Sequence, residues 1–544
     1  MVYPLKPNES LSNYYPFKRP YVIVSNDPQV GDFGPFTPGT QTAGIQEAIN
    51  ASNKVYIKSG TYTLAPTASG GALIYINKSN FVLEGEGSST VINVASSFSA
   101  DVMVVANSSS SISNILLKNF VIDATGQQPG YHGLVVGLST SEPVSYCICD
   151  GVITKNTANV GGPYFNNGAT KCIAVNCVSQ NAGDAGFAFY NCSDCGIYNS
   201  ISDGALEGIG IYGNPNLLTE RCIISGNLIT NAKDRGIYMS AGGSSGGIIR
   251  KILISNNSIY NVVGGTGLNG SAIGDDSSTP LTNYNNISII GNIIDGTYTG
   301  GIEVSSIYDV IEGNIFLNTG SSGSGDALSS IGGYSIVKGN QASVNIRTGF
   351  NVTGSHNIVI GNIVENITAG NGLYVGGGYN IVASNIFRNN QNYGIEVLSN
   401  SLDDVIVDND VTGNTYGIIV FDSGASPILV KGNRGYNPQT NLSLATNPPA
   451  SGTTYQNPYP FPIKLAVPIT LNPTSTAAAT AYLRVGSSST AGANPIKDQV
   501  NFPAGLTSVD GAVYTLKYDV PSGYYFEVDA TNATIGTAQV DEAG

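Results

Sequence analysis

Charged residues are what this 544-residue chain has least of: Asp, Glu, Lys and Arg make up 11 % of it, where an ordinary soluble domain carries about a quarter. Trp is absent, and His and Met number only 2 and 3. These shortages exclude whole classes of function. With 23 Lys+Arg against 37 Asp+Glu and a net charge of −14, the chain has few cations to neutralise phosphates, so nucleic acid is not an expected partner. No apolar run approaches the roughly 18 residues of a membrane span. The opening Met1-Val-Tyr-Pro-Leu-Lys-Pro-Asn has no apolar core, so no secretory signal is read there. Either a signal has been removed or the protein leaves the cell by another route. Apolar residues are still 41 % and regularly spaced, which excludes a disordered chain.

What the chain has in plenty is Gly (68 residues) and Asn, and these fall periodically. A ladder runs from Gly226-Asn227 and Ser255-Asn256 through Gly291-Asn292, Gly313-Asn314 and Gly339-Asn340 to Gly432-Asn433. From Gly291 the steps are 22, 26, 22, 23, 24 and 24 residues. A second ladder keeps phase with it: Gly301-Ile-Glu-Val, Gly349-Phe-Asn-Val, Gly372-Leu-Tyr-Val, Gly394-Ile-Glu-Val, Gly417-Ile-Ile-Val. Two phased ladders mean one structural unit stacked many times. Such coils suit three short strands joined by turns, with Gly and Asn at left-handed corners and Asn side chains bonded from coil to coil. The expected fold class is all-β, a parallel solenoid.

Residues 1–30, rich in Tyr and Pro, read as an extended arm packed on another surface. The solenoid is expected over 31–436. Its first part holds a short amphipathic helix, with Ile45, Ala48 and Ile49 on one face, then alternating strands around Lys54–Lys58 and Ser59–Leu64. Irregular coils lie mainly between Tyr131 and Ser277, for example at Gly161-Gly-Pro-Tyr-Phe-Asn-Asn-Gly168, and protruding loops are where binding and catalysis concentrate. Residues 437–462 read as a Pro-rich linker and 463–544 as a small β-sandwich of longer alternating strands. All 7 Cys fall between Cys147 and Cys222. Cys172 and Cys195 stand four residues before Asn176 and Asn199, neighbours about 4.8 Å apart in stacked coils, so either a disulfide or a ladder of buried thiols is expected. Cys192 and Cys195 lack a second ligand pair for zinc.

The stretch Gly31-Asp-Phe-Gly34, the helix Gln41 to Asn50, and Val55-Tyr-Ile-Lys-Ser-Gly-Thr-Tyr62 resembles the opening of the pectate-lyase-like superfamily. With the repeats behind it, the resemblance covers about residues 30–435. It implies a right-handed parallel β-helix whose first coil is capped by a helix, a fold found in polysaccharide lyases, glycoside hydrolases and virus tailspikes. Val520-Pro-Ser-Gly-Tyr-Tyr-Phe-Glu-Val528 is loosely similar to the terminal β modules of viral tail fibres.

Candidate chemistry sits where carboxylates precede the Gly that opens an outward strand: Asn181-Ala-Gly-Asp-Ala-Gly186, Ala205-Leu-Glu-Gly208 and Ala232-Lys-Asp-Arg-Gly236. Asp184, Glu207 and Asp234 are then expected at neighbouring heights on three successive coils, with Arg235 beside them. One coil step of about 5 Å is the separation of a retaining glycosidase pair and two steps, about 10 Å, the long end of an inverting one, and crowded carboxylates raise one pKa to give an acid beside a base. The same acids equally suit bonds to turn backbone N–H groups. Tyr238, Glu303, Asn351, Tyr374 and Glu396 are expected in one outward column, a saccharide track or an ordinary solvated face. Glu303 and Glu396, roughly 19 Å apart at about 4.8 Å per coil, cannot form a catalytic pair. Asn181-Ala-Gly-Asp184 and Asn231-Ala-Lys-Asp234 are similar to Asp-bearing strands of the superfamily's hydrolases, without their adjacent Asp-Asp plus Gly-His pattern. Asp275-Asp276 reads as loop, and His132 and His356 as structural histidines in or near turns.

The function expected from these features and the resemblance is a tailspike or receptor-binding protein on a virion surface, recognising cell-surface polysaccharide or glycoprotein glycans. Cleavage of the glycan fits the carboxylate cluster. The expected assembly is a homotrimer docked to a tail or capsid protein through residues 1–30. The alternatives are a secreted, extracellular lyase or glycoside hydrolase and a non-enzymatic adhesion protein. No cofactor or metal is expected, except that a lyase would hold Ca²⁺ on the acids and use Arg235 or Lys233 against a uronate.

Overall fold

The computed structural model describes residues 21–65, 71–94, 97–242, 246–265, 268–276, 283–323, 325–330, 332–343, 347–436, 442–444, 446–459, 462–474, 477–505 and 511–543. Two compact units divide the chain, Met1–Leu373 and Tyr374–Gly544.

The first unit is a stack of parallel coils. Three strands per turn build three long sheets, the third of which carries Ala185–Tyr190, Glu207–Tyr212, Arg235–Ser240, Ile273–Asp275 and Ile302–Val304 in sequence order. Each strand pairs with the equivalent strand one coil on, as in Phe187↔Ile209 and Ile209↔Ile237. Alternate side chains point inward, so like residues stack: Phe187, Ile209, Ile237, Ile273 and Ile302 are at most 1 % exposed. Each fully buried side chain of this kind contributes about 1.5–3 kcal/mol. The N-terminal end is closed by the helix Ile45–Ala51, which buries Ile45, Ala48 and Ile49. Its Gln46 accepts the N–H of Tyr75 (2.7 Å) and donates to the Tyr75 carbonyl (3.1 Å), so one side chain does for the strand Ala72–Ile76 what a neighbouring strand would.

The corners explain the Gly-Asn ladder. The first residue of each pair is left-handed, as at Gly291 (φ 66). The Asn that follows is buried, and its Oδ1 accepts both the backbone N–H and the Nδ2–H of the Asn one coil earlier. This runs through Asn227, Asn257, Asn292, Asn314, Asn340 and Asn362, every bond between 2.9 and 3.0 Å. The expected pair Ser255-Asn256 is therefore shifted by one: Asn256 is the left-handed corner (φ 55) and Asn257 the ladder residue. The same holds earlier, where Asn176 and Asn199 are left-handed and Cys177 and Ser200 take the ladder position. Cys172 and Cys195 do lie on adjacent coils, preceding the paired Ile173 and Gly196, and all seven cysteines are buried free thiols.

At a second corner, Ser305-Ser306 bonds two buried carboxylates. Asp309 accepts the Ile287 N–H and the Ser306 hydroxyl, and burial pushes its carboxyl up to about 7. Burial also raises Asp275, which accepts the Ser305 N–H and hydroxyl, to about 6. In the unfolded chain both return to about 3.9. Their contribution is thus fully present below about pH 4 and lost as pH rises through 6 to 7. Melting temperature is expected to rise on acidification from pH 8 to pH 5, and Asp309→Asn to flatten that rise. A melting temperature constant across this interval in the parent protein would contradict it.

The expected arm over 1–30 is part of the fold at its end: Val22–Val24 pairs in parallel with Lys54–Ile57, because its alternating apolar residues complete the first coil. Residues 1–20 lie outside the described residues.

In the second unit, Ile381–Ala383, Val405–Val407 and Leu429–Lys431 pair in parallel, and Asn385, Asn409 and Asn433 form a ladder of the same kind. Two antiparallel sheets follow. Ala479–Gly486 lies between Tyr525–Thr531 and Ile496–Phe502, and Ile463–Leu471 pairs with Val513–Val520 and Ala533–Ile535. Their inner faces share a core of Ile463, Leu465, Val467, Leu483 and Phe526. The predicted linker 437–462 is in part strand: Thr454–Gln456 pairs with Tyr525–Thr531, and Tyr455 stacks on Phe526 at 5.6 Å.

Candidate functional site

The outward face of the third sheet carries a continuous register: Tyr164, Ala188, Gly210, Tyr238, Gly274, Glu303, Ser329, Asn351. Seven coil steps, about 34 Å at 4.8 Å each, separate its ends. Tyr238, Glu303 and Asn351 stand in this one column, interrupted by Gly274 and Ser329. Tyr374 and Glu396 belong to the second unit, where Glu396 is half-buried opposite Val420.

An open cleft of about 300 Å³ lies at the upper end of this face, lined by His132, Tyr164, Asp184, Tyr190, Tyr212 and Asn214 among others. Three features build it. Pro163–Phe165, expected as irregular loop, is a strand of the third sheet. Proline is tolerated as a strand's first residue, and Tyr164 follows it with its ring 4.9 Å from His132 and 6.4 Å from Tyr190. Next, a short extra sheet of Leu218–Glu220, Ile248–Arg250 and Tyr284–Asn285 adds a fourth side to the coils here. It holds the ends of the outward strands: the Thr219 hydroxyl donates to the Tyr212 carbonyl, and the Tyr284 hydroxyl accepts the Ala241 N–H, both at 2.8 Å. Finally, Gly210 leaves the surface bare. A Cβ there would lie 2.4 Å from the Tyr212 ring, so Tyr212 folds back across the strand and donates its hydroxyl to Glu207 Oε2 at 2.5 Å.

Asp184, Glu207, Asp234 and Arg235 come together, in a finer register than expected. Ala185, Glu207 and Arg235 are paired positions, so Glu207 aligns with Arg235 and stands one residue further along its strand than Asp184 and Asp234 do. Glu207 is 6 % exposed. Burial above all, with the charges of Asp184 and Asp234 adding to it, pushes its carboxyl up to about 8, against the Tyr212 hydrogen bond and the Arg235 guanidinium. Burial raises Asp184 as well, opposed by the Ala185 N–H. Asp234 Oδ1 accepts the Asn269 N–H at 2.5 Å. Arg235 lies over Tyr238, its Cζ 4.2 Å from the ring centroid, and its Nη1 is 3.6 Å from Asp234 Oδ2. Glu303 adjoins this group, raised by burial and lowered by Asn269 and Arg235. The buried Asp326 below it accepts the Asn351 amide at 3.0 Å.

Asp275, read as loop, ends the strand Ile273–Asp275 and is buried. His132 lines the cleft. Its backbone N–H donates to Asp101 Oδ1 at 2.7 Å, and burial pushes its imidazole down to about 4, so it is neutral at pH 7. His356 does sit at a left-handed corner, stacked 4.7 Å from Tyr334. Among the described residues no group of three or more His, Cys, Asp or Glu has the geometry to hold a metal ion. No helix among them is long and apolar enough to cross a membrane, which says nothing of a β-barrel.

The stacked parallel coils and the capping helix define a right-handed parallel β-helix. The family model for a right-handed β-helix region matches residues 280–434. Among solved structures, a double mutant of the tailspike protein of E. coli bacteriophage HK620, in complex with pentasaccharide, is similar with a TM-score of 0.51 and 13 % identity over 95 % of this chain and 93 % of that one. Another mutant of that tailspike, also with pentasaccharide, gives 0.52 and 12 % over 96 % and 94 %. The mannuronan C-5 epimerase AlgE6 A-module of Azotobacter vinelandii gives 0.47 and 14 % over 71 % and 94 %. At these identities the likeness is one of fold. No curated protein matches the sequence.

Proposed function

We propose that this protein is a glycan-binding β-helix of the tailspike type, displayed on a virion surface, which attaches to cell-surface polysaccharide and cleaves it in the cleft on its third sheet. The observation that carries the reading is Glu207: a buried carboxyl, protonated at neutral pH, directly behind a cleft walled by tyrosines, where it bonds the lining Tyr212 and stands one coil from the lining Asp184. The tailspikes of similar fold were solved with bound pentasaccharide, which supports a glycan as the ligand.

The chemistry follows from the arrangement. A glycan lying along the face stacks sugar rings on Tyr164 and Tyr238 and exchanges hydrogen bonds with Asn214 and Tyr190. Glu207 donates its proton to the glycosidic oxygen as the bond to the leaving sugar breaks. Asp184 attacks the anomeric carbon from the adjoining coil as that bond breaks, and water, giving a proton back to Glu207, then displaces Asp184 and frees the second sugar. Coils about 4.8 Å apart can bring two carboxyl groups to the separation of a retaining pair. Arg235 balances the negative charge of Asp234 and Glu303, and keeps Glu207 from rising further. Assembly as a homotrimer, and docking to the particle through residues 1–30, complete the proposal.

The test is release of reducing ends from host surface polysaccharide across a range of pH. Cleavage is expected to fall on the alkaline side as Glu207 loses its proton. Tyr212→Phe removes the bond that holds the Glu207 pKa down, so its alkaline limb is expected to move to higher pH. Turnover of no surface glycan would overturn the enzymatic part, and a monomer in solution would overturn the trimer.

A further inference from the structure

We infer that the cleft is built for an uncharged stretch of glycan, that His132 is one of its hydroxyl-binding groups, and that uronate-bearing, sialylated and sulfated chains are excluded from it. This rests on the reading of the cleft as a glycan site and adds the class of sugar it takes.

The first support is the lining. Among the described residues no Lys or Arg lines the cleft, so a sugar carboxylate or sulfate entering it finds no cation. What it meets instead is Asp184, with Glu207 and Asp101 close behind. Arg235 stands outside the lining: Tyr238 covers one face at 4.2 Å, Asp234, Glu303 and Asp275 all act on it, and its one unpartnered nitrogen, Nε, is buried among the described residues. Arg235 is outnumbered by carboxylates even with Glu207 protonated. A second negative charge about 5 Å from Asp184 at the effective dielectric of a protein surface weakens binding by more than about tenfold.

The second support is His132. The side chain is largely buried, and among the described residues its Nδ1 has no hydrogen-bond partner. A buried polar atom without a partner is costly and rare. Here it belongs to a ring held against Tyr164 at the cleft wall. The low pKa of the imidazole makes it a neutral group at pH 7, suited to a sugar hydroxyl and unable to attract an anion. The amide of Asn214, which donates to the Tyr190 hydroxyl, extends the same uncharged surface.

The test uses the full-length protein carrying Glu207→Gln, so that bound chains are not consumed. It is titrated at low salt on an array of neutral oligosaccharides (hexose and N-acetylhexosamine polymers) and acidic ones (uronate, sialylated and sulfated chains). Binding is expected among neutral chains only. It should weaken tenfold or more when His132→Gln or Asn214→Ala is added, each variant being checked for an unchanged melting curve. Tight binding of an acidic chain that is lost in the same variants would overturn the inference and leave the glycan reading standing. Neutral binding indifferent to both variants would also overturn it. Binding of no glycan would overturn the underlying reading as well.

Discussion

Glu207→Gln is expected to leave glycan binding within a few-fold of the parent and to lower cleavage by about 10²- to 10⁴-fold, the usual worth of a positioned general acid. Gln is nearly isosteric, and its amide oxygen still accepts the Tyr212 hydroxyl that now reaches Glu207 Oε2 at 2.5 Å. The variant removes the proton and little else. Because the fold raises the Glu207 pKa to about 8 from about 4.3 in the unfolded chain, the stability its protonated form contributes is lost as pH rises from about 4 through 8, and Gln removes this dependence. The variant should therefore melt no lower than the parent at pH 8. Loss of cleavage with unchanged binding separates an acid from a mere wall of the cleft. Unchanged cleavage would remove Glu207 from the mechanism.

The second large effect is in the scaffold. Asn314→Ala removes an Oδ1 that accepts the N–H of Asn292 at 3.0 Å and its Nδ2–H at 2.9 Å, and an Nδ2 that donates to the Ile289 carbonyl at 2.8 Å and to Asn340 Oδ1 at 3.0 Å. All of these groups are buried and none can turn to water. Each one stranded costs about 1–3 kcal/mol, so a loss of about 4 kcal/mol or more is expected. In a stacked array the damage is local and spreads to neighbouring coils. Hydrogen exchange at the Asn292 and Ile315 amides reads it better than one melting temperature does. Asn256→Gly supplies the contrast: Asn256 occupies a left-handed corner (φ 55), where Gly fits without strain, and only a minor change is expected. If the two substitutions had equal effects, the coil-to-coil ladder would not be what holds the corner.

That contrast also shows what sequence reading could and could not reach. The period was visible because Gly and Asn repeat for two separate physical reasons at adjacent positions, a left-handed corner and a buried hydrogen-bond ladder. Asn can fill either role, so in Ser255-Asn256-Asn257 the register was ambiguous by one residue, and side-chain bonds decide it. The acidic group was found because Asp184, Glu207 and Asp234 each precede a strand-opening Gly. Its aromatic partners were not. Pro163 marked a break in pattern and concealed the strand that presents Tyr164. His132 comes near Tyr164 only because Val135 and Tyr164 are paired across coils. Tyr212 could have been found: in Glu207-Gly-Ile-Gly-Ile-Tyr212 the small residue at Gly210 leaves a flat path from the ring back to the acid. The fourth-side sheet, with strands of two or three residues, carries no periodic signal long enough to read.

The most direct test of the account is the position of a bound glycan. Crystals of the full-length Glu207→Gln protein soaked with a neutral oligosaccharide from a polysaccharide it binds should show sugar rings along the third sheet. The chain should run from His132 and Tyr164 past Tyr238, with a glycosidic oxygen within hydrogen-bond distance of the residue at 207. Sugar bound on another face, or a glycosidic bond out of reach of both 207 and Asp184, would contradict it.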